Sequence, residues 1–387
     1  MRRTPLCIPP SPPLAPRALR VRPCPPPPPL PLLLLLLILL PAPLIRAQPN
    51  APLPAEKIKL IEAAVAAEMS RQNIAGLSLA VVTDNQLRWS NGYGFADLEN
   101  YVPAKAATVY RLASISKSVT AVAVMQLAER GQLDLDAPVQ KYCPAFPEKQ
   151  WPLTSRQILA HLSGIRHYKS EEEYAGTRRY ESIAAGLEMF KNEPLLHEPG
   201  AKYTYTTFGY SVLGCALEGA SGQKFSDFVR ANVFQPAGMD RMRVDDINAL
   251  IFNRAQGYRR TKTGELRNSD LADNSYKLPG GGLVSTVEDL AKFAIAVHTD
   301  KLLKKETTER MLTSQKTRDG KETNYGLGWS VQVQDGQKIV GHSGAQQRVS
   351  TYLHMIPARN FAVALMVNVE DTRLRSLAER IAEIVLK

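Results

Sequence analysis

The sequence is poor in cysteine and carries no cysteine pattern. Of its four cysteines, Cys7 and Cys24 lie in the first 47 residues, which leaves Cys143 and Cys215 for the rest. No C-x-x-C occurs, so neither a redox dithiol nor a zinc knuckle is indicated, and two cysteines make no disulfide framework. They can pair in an oxidising compartment, but the frequent burial of free cysteine favours two buried thiols. Histidine is scarce, at six. There is no H-E-x-x-H and no EF-hand loop, so neither a metal nor a cofactor is expected. Gly280-Gly281-Gly282 lacks the spacing and the lysine of a phosphate loop. No apolar run reaches the roughly 20 residues of a spanning helix.

Acid is absent from one end. The first 47 residues hold six arginines (Arg2, Arg3, Arg17, Arg20, Arg22, Arg46) and no aspartate or glutamate. Taking those six from 48 basic residues leaves 42 against 37 acidic ones. Most of the formal charge of +11 therefore belongs to the leader, and the small, dispersed remainder does not argue for nucleic-acid binding. Within the leader, Pro25 to Pro29 precede a leucine block ending at Leu40, then Pro41 to Gln48. A basic region, a short apolar core and a small residue before a polar break describe a secretory signal peptide over 1–47. An uncleaved N-terminal anchor is the alternative, and only then is a membrane expected as a partner. Export, to a periplasm or the outside, is the expectation, with 48–54 as a linker.

What remains is an ordinary globular composition, long enough for a sizeable core. Ala55 to Asn73 reads as a helix with Ile58, Ile61, Val65 and Met69 on one face. Leu77 to Thr83, a turn at Asp84-Asn85 and Gln86 to Tyr93 read as a hairpin. From Leu133 to about Val284 the character changes to helices and loops, with Thr154 to Gln157 a capping box and helices over 209–220 and 225–234. Strands return at 325–333, 337–340, 350–356 and 361–368, and Leu374 to Lys387 is an amphipathic helix. This implies an α/β (α+β) fold. An antiparallel sheet flanked by helices is built from both chain ends, and a mostly helical part is inserted at about 131–284. A cleft is expected between the two parts.

Three motifs carry chemistry. Ser114-Ile115-Ser116-Lys117 opens an apolar helical run ending at Gly131. Residues three apart share a helix face, so Ser114 and Lys117 can touch, and a buried lysine of lowered pKa can take a serine proton. Alone, the pair reads more simply as a capping serine followed by a solvated lysine. The second motif, Tyr203 to Tyr210, lies on a loop entering a helix and contains Tyr205-Thr206-Thr207. The third is Gly341-His342-Ser343-Gly344-Ala345, just before the strand at Ser350.

In this order, the motifs resemble those of the serine β-lactamase and penicillin-binding-protein superfamily, specifically its class C-like branch. There S-x-x-K is followed by Y-x-N and then by K-T-G or H-x-G. Leu159-x-His161-x-Ser163-Gly164, Gly281 to Thr286 and Tyr325 to Trp329 strengthen the match over residues 55–387. Tyr205 to Tyr210, Asp273 to Lys277 and His161 to Tyr168 resemble LACTB-type proteins in particular. The resemblance implies a β-lactamase/transpeptidase-like fold, Ser114 as acylated nucleophile, Lys117 as its proton partner and Tyr205 as a second base, pushed towards phenolate by the ammonium. It places an oxyanion between the N–H groups of Ser114 and Ala345, with Thr207, His342 and Gly344 on the substrate. His342, in place of the family's lysine, is expected to be neutral and to donate a hydrogen bond.

The departures qualify this. Thr207 replaces an asparagine whose amide can both donate and accept, which argues against efficient β-lactam hydrolysis. Arg348 either narrows the cleft, offers a substrate carboxylate a fork or points to solvent, the last being expected. His161 reads as a helix-end packing residue, and His167, His197, His298 and His354 show no partner spacing. The expected activity is a serine hydrolase acting on a peptide, a D-amino-acid compound or an ester. The alternatives are a penicillin-binding or sensing module with little turnover, and a scaffold with an idle pocket. Oligomeric state is not legible.

Overall fold

The computed structural model describes residues 52–387; the leader and most of the linker fall outside the described residues. The organising element is a seven-stranded antiparallel sheet. Its order is Val102–Pro103, Gln86–Asp97, Gly76–Thr83, Phe361–Val367, Val349–Ile356, Gln337–Gln346 and Ser330–Gln334. The two chain ends meet at its centre, where Leu77 faces Val367 and Val81 faces Val363.

Both faces of the sheet's central strands are buried, by alternation. Leu77, Leu79, Val81, Phe361, Val363, Leu365 and Val367 point into one apolar layer with Ile61 and Val65 of helix Ala55–Gln72 and Leu377, Ile381 and Val385 of helix Arg375–Leu386. Each such side chain contributes about 1.5–3 kcal/mol when fully buried. Ala80, Val82, Ala362, Ala364 and Met366 face the opposite way, into the larger core of helix Ser116–Glu129 and its neighbours. Asn73 takes a left-handed conformation (φ 48°) and ends the first helix one residue before the pattern suggested.

Between residues 131 and 284 the chain forms short helices and loops, with two- and three-stranded ladders. The capping box at Thr154 is present, with Thr154 and Gln157 each accepting from the other's backbone N–H. Helix Phe208–Ser221 packs beside helix Ser116–Glu129. Among the described residues no helix is long and apolar enough to cross a membrane.

Three expectations are corrected. Cys143 and Cys215 form a disulfide, not two thiols. Their Cα atoms are 5.3 Å apart because the 139–146 turn lies against helix Phe208–Ser221, a juxtaposition that a separation of 72 residues does not reveal. The 325–333 strand begins only at Ser330, since Gly326 N–H bonds to Trp329 O and Gly328 has φ 85°. The third catalytic motif precedes the strand at Ser350 as expected, but the strand read over 337–340 runs on to Gln346 and takes the motif in; its glycines and polar residues interrupt the apolar alternation that marks strands.

Candidate active site

Four anchors set the nucleophile loop. Tyr110 and Arg111 pair with Ser285 and Val284. The Arg111 guanidinium sits 2.8 Å from Asp245 Oδ2 and donates to Ala272 O. Leu112 O accepts from Thr351 Oγ1 at 3.0 Å. Gly344 has no room for a side chain, because a Cβ there would lie 2.4 Å from Leu112 O and 2.2 Å from Thr351 Oγ1. Its role is therefore close approach: it lets strand Gln337–Gln346 lie directly on the loop. Ala113 is held left-handed at φ 48°, a conformation costing about 1–3 kcal/mol for a residue with a Cβ. Ser114 follows on a single 3₁₀ turn, Ala113–Ile115, leading into helix Ser116–Glu129.

Lys117, in that helix's first turn, is completely buried. Its Nζ lies 3.0 Å from Ser114 Oγ, 3.1 Å from Thr207 Oγ1 and 2.7 Å from Gly280 O. Burial, and secondarily the charge of Lys277, holds the amine well below the usual lysine pKa. In its deprotonated form the amine has two N–H donors and one lone pair. The Gly280 carbonyl can only accept and the Thr207 hydroxyl has lone pairs, so the amine's own lone pair is left to face the Ser114 hydroxyl.

Tyr205 joins the same group. Its phenol has Ser114 as a polar neighbour that, against the larger effect of burial, draws its pKa down, the two line one cavity, and Lys117 Nζ stands 4.9 Å from its ring centroid. The expectation of a phenolate is overturned: burial raises the phenol's pKa above its ordinary value, so Tyr205 is held as a neutral donor. The His161 ring lies 4.3 Å from the Tyr205 ring, and its Nδ1 accepts from Thr206 N–H at 3.1 Å. His161 is the helix-end packing residue foreseen, and what it packs against is Tyr205. Thr207, also buried, donates its N–H to His167 Nδ1 at 3.2 Å. Its hydroxyl serves Lys117, so it holds the lysine as well as lining the cavity.

His342 is neutral, as foreseen: burial, then Lys117, pushes its pKa down to about 4. Its expected hydrogen bond to substrate is not available. Nδ1 donates to Ser343 O at 2.6 Å, and Nε2 accepts from the Tyr325 hydroxyl at 2.8 Å. Both nitrogens are engaged within the protein. Ala345 faces Ser350 across the hairpin closed by Gln347 and Arg348. The pair flanking a two-residue loop, Gln346 and Val349, is the hydrogen-bonded one, so Ala345 N–H points away from the neighbouring strand, towards the open edge. Arg348 does not line the cavity of Ser114. It turns back at φ 76° with Arg111 and Arg254 beside it.

Ser114, Tyr205, Thr207, His342 and Ala345 line one cavity of about 260 Å³. Three further residues there carried no legible signal: His167, pushed down to about 4 by burial, Lys277 and Gln346. Each comes from a segment distant in sequence; His167 and Lys277 stood in motifs singled out for the family resemblance and not for a place in the cavity. A larger cavity, about 490 Å³, is lined by Arg179, Glu218, Asp245 and Asp273 and by none of Ser114, Lys117 and Tyr205.

A nucleophile beside a buried amine of lowered pKa, a phenol and an outward N–H is an arrangement for acyl transfer. Comparison with known proteins agrees. A family model described as beta-lactamase matches residues 61–386. The human serine beta-lactamase-like protein LACTB, mitochondrial, is 31% identical over 79% of this chain and 76% of its own length. The octameric penicillin-binding protein homologue from Pyrococcus abyssi superposes with a TM-score of 0.74 at 26% identity, covering 85% of this chain and 77% of that one. A penicillin-binding protein from Bacillus halodurans does so with a TM-score of 0.68 at 26% identity, over 83% and 98%. The chain belongs to the beta-lactamase family, as a serine hydrolase related to LACTB and to the penicillin-binding proteins.

Proposed function

We propose that this serine hydrolase is exported and cleaves an amide or ester bond, in a peptide, a D-amino-acid compound or a simple ester, through an acyl-enzyme on Ser114. The observation that carries the reading is the 3.0 Å contact between Ser114 Oγ and a lysine buried among acceptors. Lys117 takes the Ser114 proton as Oγ bonds to the substrate carbonyl carbon, whose oxygen becomes the oxyanion held by Ser114 and Ala345 N–H. Such donors are worth roughly 3–4 kcal/mol each. Collapse breaks the bond to the leaving heteroatom, which takes a proton from Tyr205, and the Lys117 ammonium replaces it. Water then adds to the acyl carbonyl and passes a proton to Lys117. Its return to Ser114 Oγ releases the acid and restores the enzyme.

Two features support export: the leucine-rich leader, and a disulfide, which persists in oxidising compartments. Labelling with a fluorophosphonate tests the nucleophile. Wild type is expected to be marked and Ser114→Ala, folded to the same melting temperature, to stay unmarked; equal labelling of both would remove Ser114 from the reaction.

Thr207 favours a second reading. With its hydroxyl given to Lys117, it offers a substrate amide less than an asparagine would, which suits a penicillin-binding protein that acylates with little turnover. Mass spectrometry after a β-lactam pulse separates the two, since an adduct lasting hours marks a binder and rapid loss marks an enzyme.

A further inference from the structure

The cavity holds a second buried lysine that the acyl-transfer chemistry does not use. Lys277, 1% exposed, ends the 3₁₀ turn Ser275–Lys277. Its Nζ lies 5.1–5.4 Å from the ring centroids of Tyr168, Tyr174 and Tyr276. One of its N–H donors goes to Tyr174 O at 2.9 Å. Two carboxylates lie in its neighbourhood, and both are committed elsewhere. Asp245 is held by Arg111 at 2.8 Å and Arg254 at 3.0 Å, and Asp273 Oδ1 accepts from Ser275 N–H at 2.8 Å. Within the cavity, Lys277 shares the lining with histidines and tyrosines and with no acid.

Gln346, the last residue of its strand and 4% exposed, is in the same cavity, and its Nε2 has no partner. The two side chains converge on Gly281. A Cβ built there would lie 3.4 Å from Gln346 Oε1, 3.8 Å from Lys277 Cδ and 4.0 Å from Ala113 C, beside the nucleophile. A buried donor without an acceptor costs about 1–3 kcal/mol, which a ligand that supplies the acceptor removes. A cationic donor and an amide donor, close together and facing no acid, match a carboxylate.

The side of the scissile bond follows from Tyr205, which lines both this cavity and an adjoining one of about 600 Å³ containing Tyr203, Tyr325 and Arg373. Ser114 lines only the first of the two, which assigns the acyl part it carries to that cavity and the leaving group at Tyr205 to the second. We propose that Lys277 and Gln346 form a specificity subsite that holds a carboxylate on the acyl part of the substrate, within reach of the carbonyl attached to Ser114. This rests on the Ser114 acyl-enzyme reading.

Two esters with one leaving group test it: p-nitrophenyl butyrate, and the mono-p-nitrophenyl ester of glutaric acid, whose acyl part ends in a carboxylate. At pH 6 the wild-type kcat/KM is expected to be at least about tenfold higher for the glutarate ester, a preference within reach of a buried polar subsite. Burial and Arg111, against the opposing Asp245 and Asp273, push the Lys277 pKa down to about 7. The ammonium is thus present below that pH, and the preference declines as pH rises through it. Lys277→Met and Gln346→Met are each expected to remove most of the preference, read as the ratio of the two esters' kcat/KM so that any change common to both cancels. Equal losses on both esters, or a wild type without the preference that is still labelled at Ser114, overturn the subsite alone. A wild type that hydrolyses neither ester and is labelled equally as Ser114→Ala overturns the acyl-enzyme reading and the subsite with it.

Discussion

Tyr205 and Lys117 differ in what burial does to them. Removing either from water favours its neutral form, which lowers the amine's pKa and raises the phenol's. One thus becomes a base and the other stays an acid, and the pair suits opposite ends of one proton transfer. If Tyr205 protonates the leaving group, Tyr205→Phe hurts most where the leaving group needs a proton. The expected outcome is a fall in kcat of about 10²-fold on an anilide or amide, and a much smaller fall on a p-nitrophenyl ester with the same acyl part. Parallel kinetics on the two substrates check it, and equal losses would reduce Tyr205 to a packing residue. His342 shows the limit of reading one residue at a time. Its neutrality follows from its identity and burial, but the use of both ring nitrogens depends on Tyr325 and on the Ser343 carbonyl.

Strand Gln337–Gln346 and the Leu112–Ser114 loop form a unit at the scale of elements. The strand touches the loop at Gly344, and Thr351 of the next strand ties Leu112 O to it. Adding a methyl group at Gly344 forces them apart. Gly344→Ala is therefore expected to cost about 1–3 kcal/mol of stability and to lower kcat further, by shifting Ala345 N–H relative to Ser114. Thermal melts and acylation rates read the two effects separately; an unchanged acylation rate would show that the strand does not help hold the oxyanion. Long, strongly patterned elements were legible beforehand. Helices Ala55–Gln72 and Arg375–Leu386 keep their apolar residues three and four apart, and strands Gly76–Thr83 and Phe361–Val367 are nearly continuous apolar runs. The segment through Gly341 to Gln346 was not, because its residues serve the cavity and the loop and not an apolar layer.

Over the whole molecule, the Cys143–Cys215 disulfide links the turn after residue 138 to the helix whose first turn follows Thr207. It closes a long loop, so its removal by Cys143→Ser with Cys215→Ser is expected to destabilise by about 2–5 kcal/mol. Guanidinium denaturation checks this: reductant should lower the wild-type midpoint and leave the double variant's unchanged. Alkylation of the denatured, unreduced protein gives a direct count, and two labelled cysteines would contradict the bond. The substitution also tests whether the link steadies the Tyr205–Thr207 segment, through any change in acylation rate of the still-folded variant.

Sequence spacing was enough for what depends on neighbours along the chain. The i, i+3 contact of Ser114 and Lys117, the capping box at Thr154 and the apolar central strands Gly76–Thr83 and Phe361–Val367 each follow from local patterning. The order of three motifs was enough for the family. The state of those groups required the folded chain. Desolvation of Lys117 and Tyr205, the closure of Cys143 on Cys215, and the meeting of Lys277 with Gln346 over Gly281 all bring together segments far apart in sequence. Burial and proximity are sums over the whole fold, so a pattern read along one stretch does not contain them.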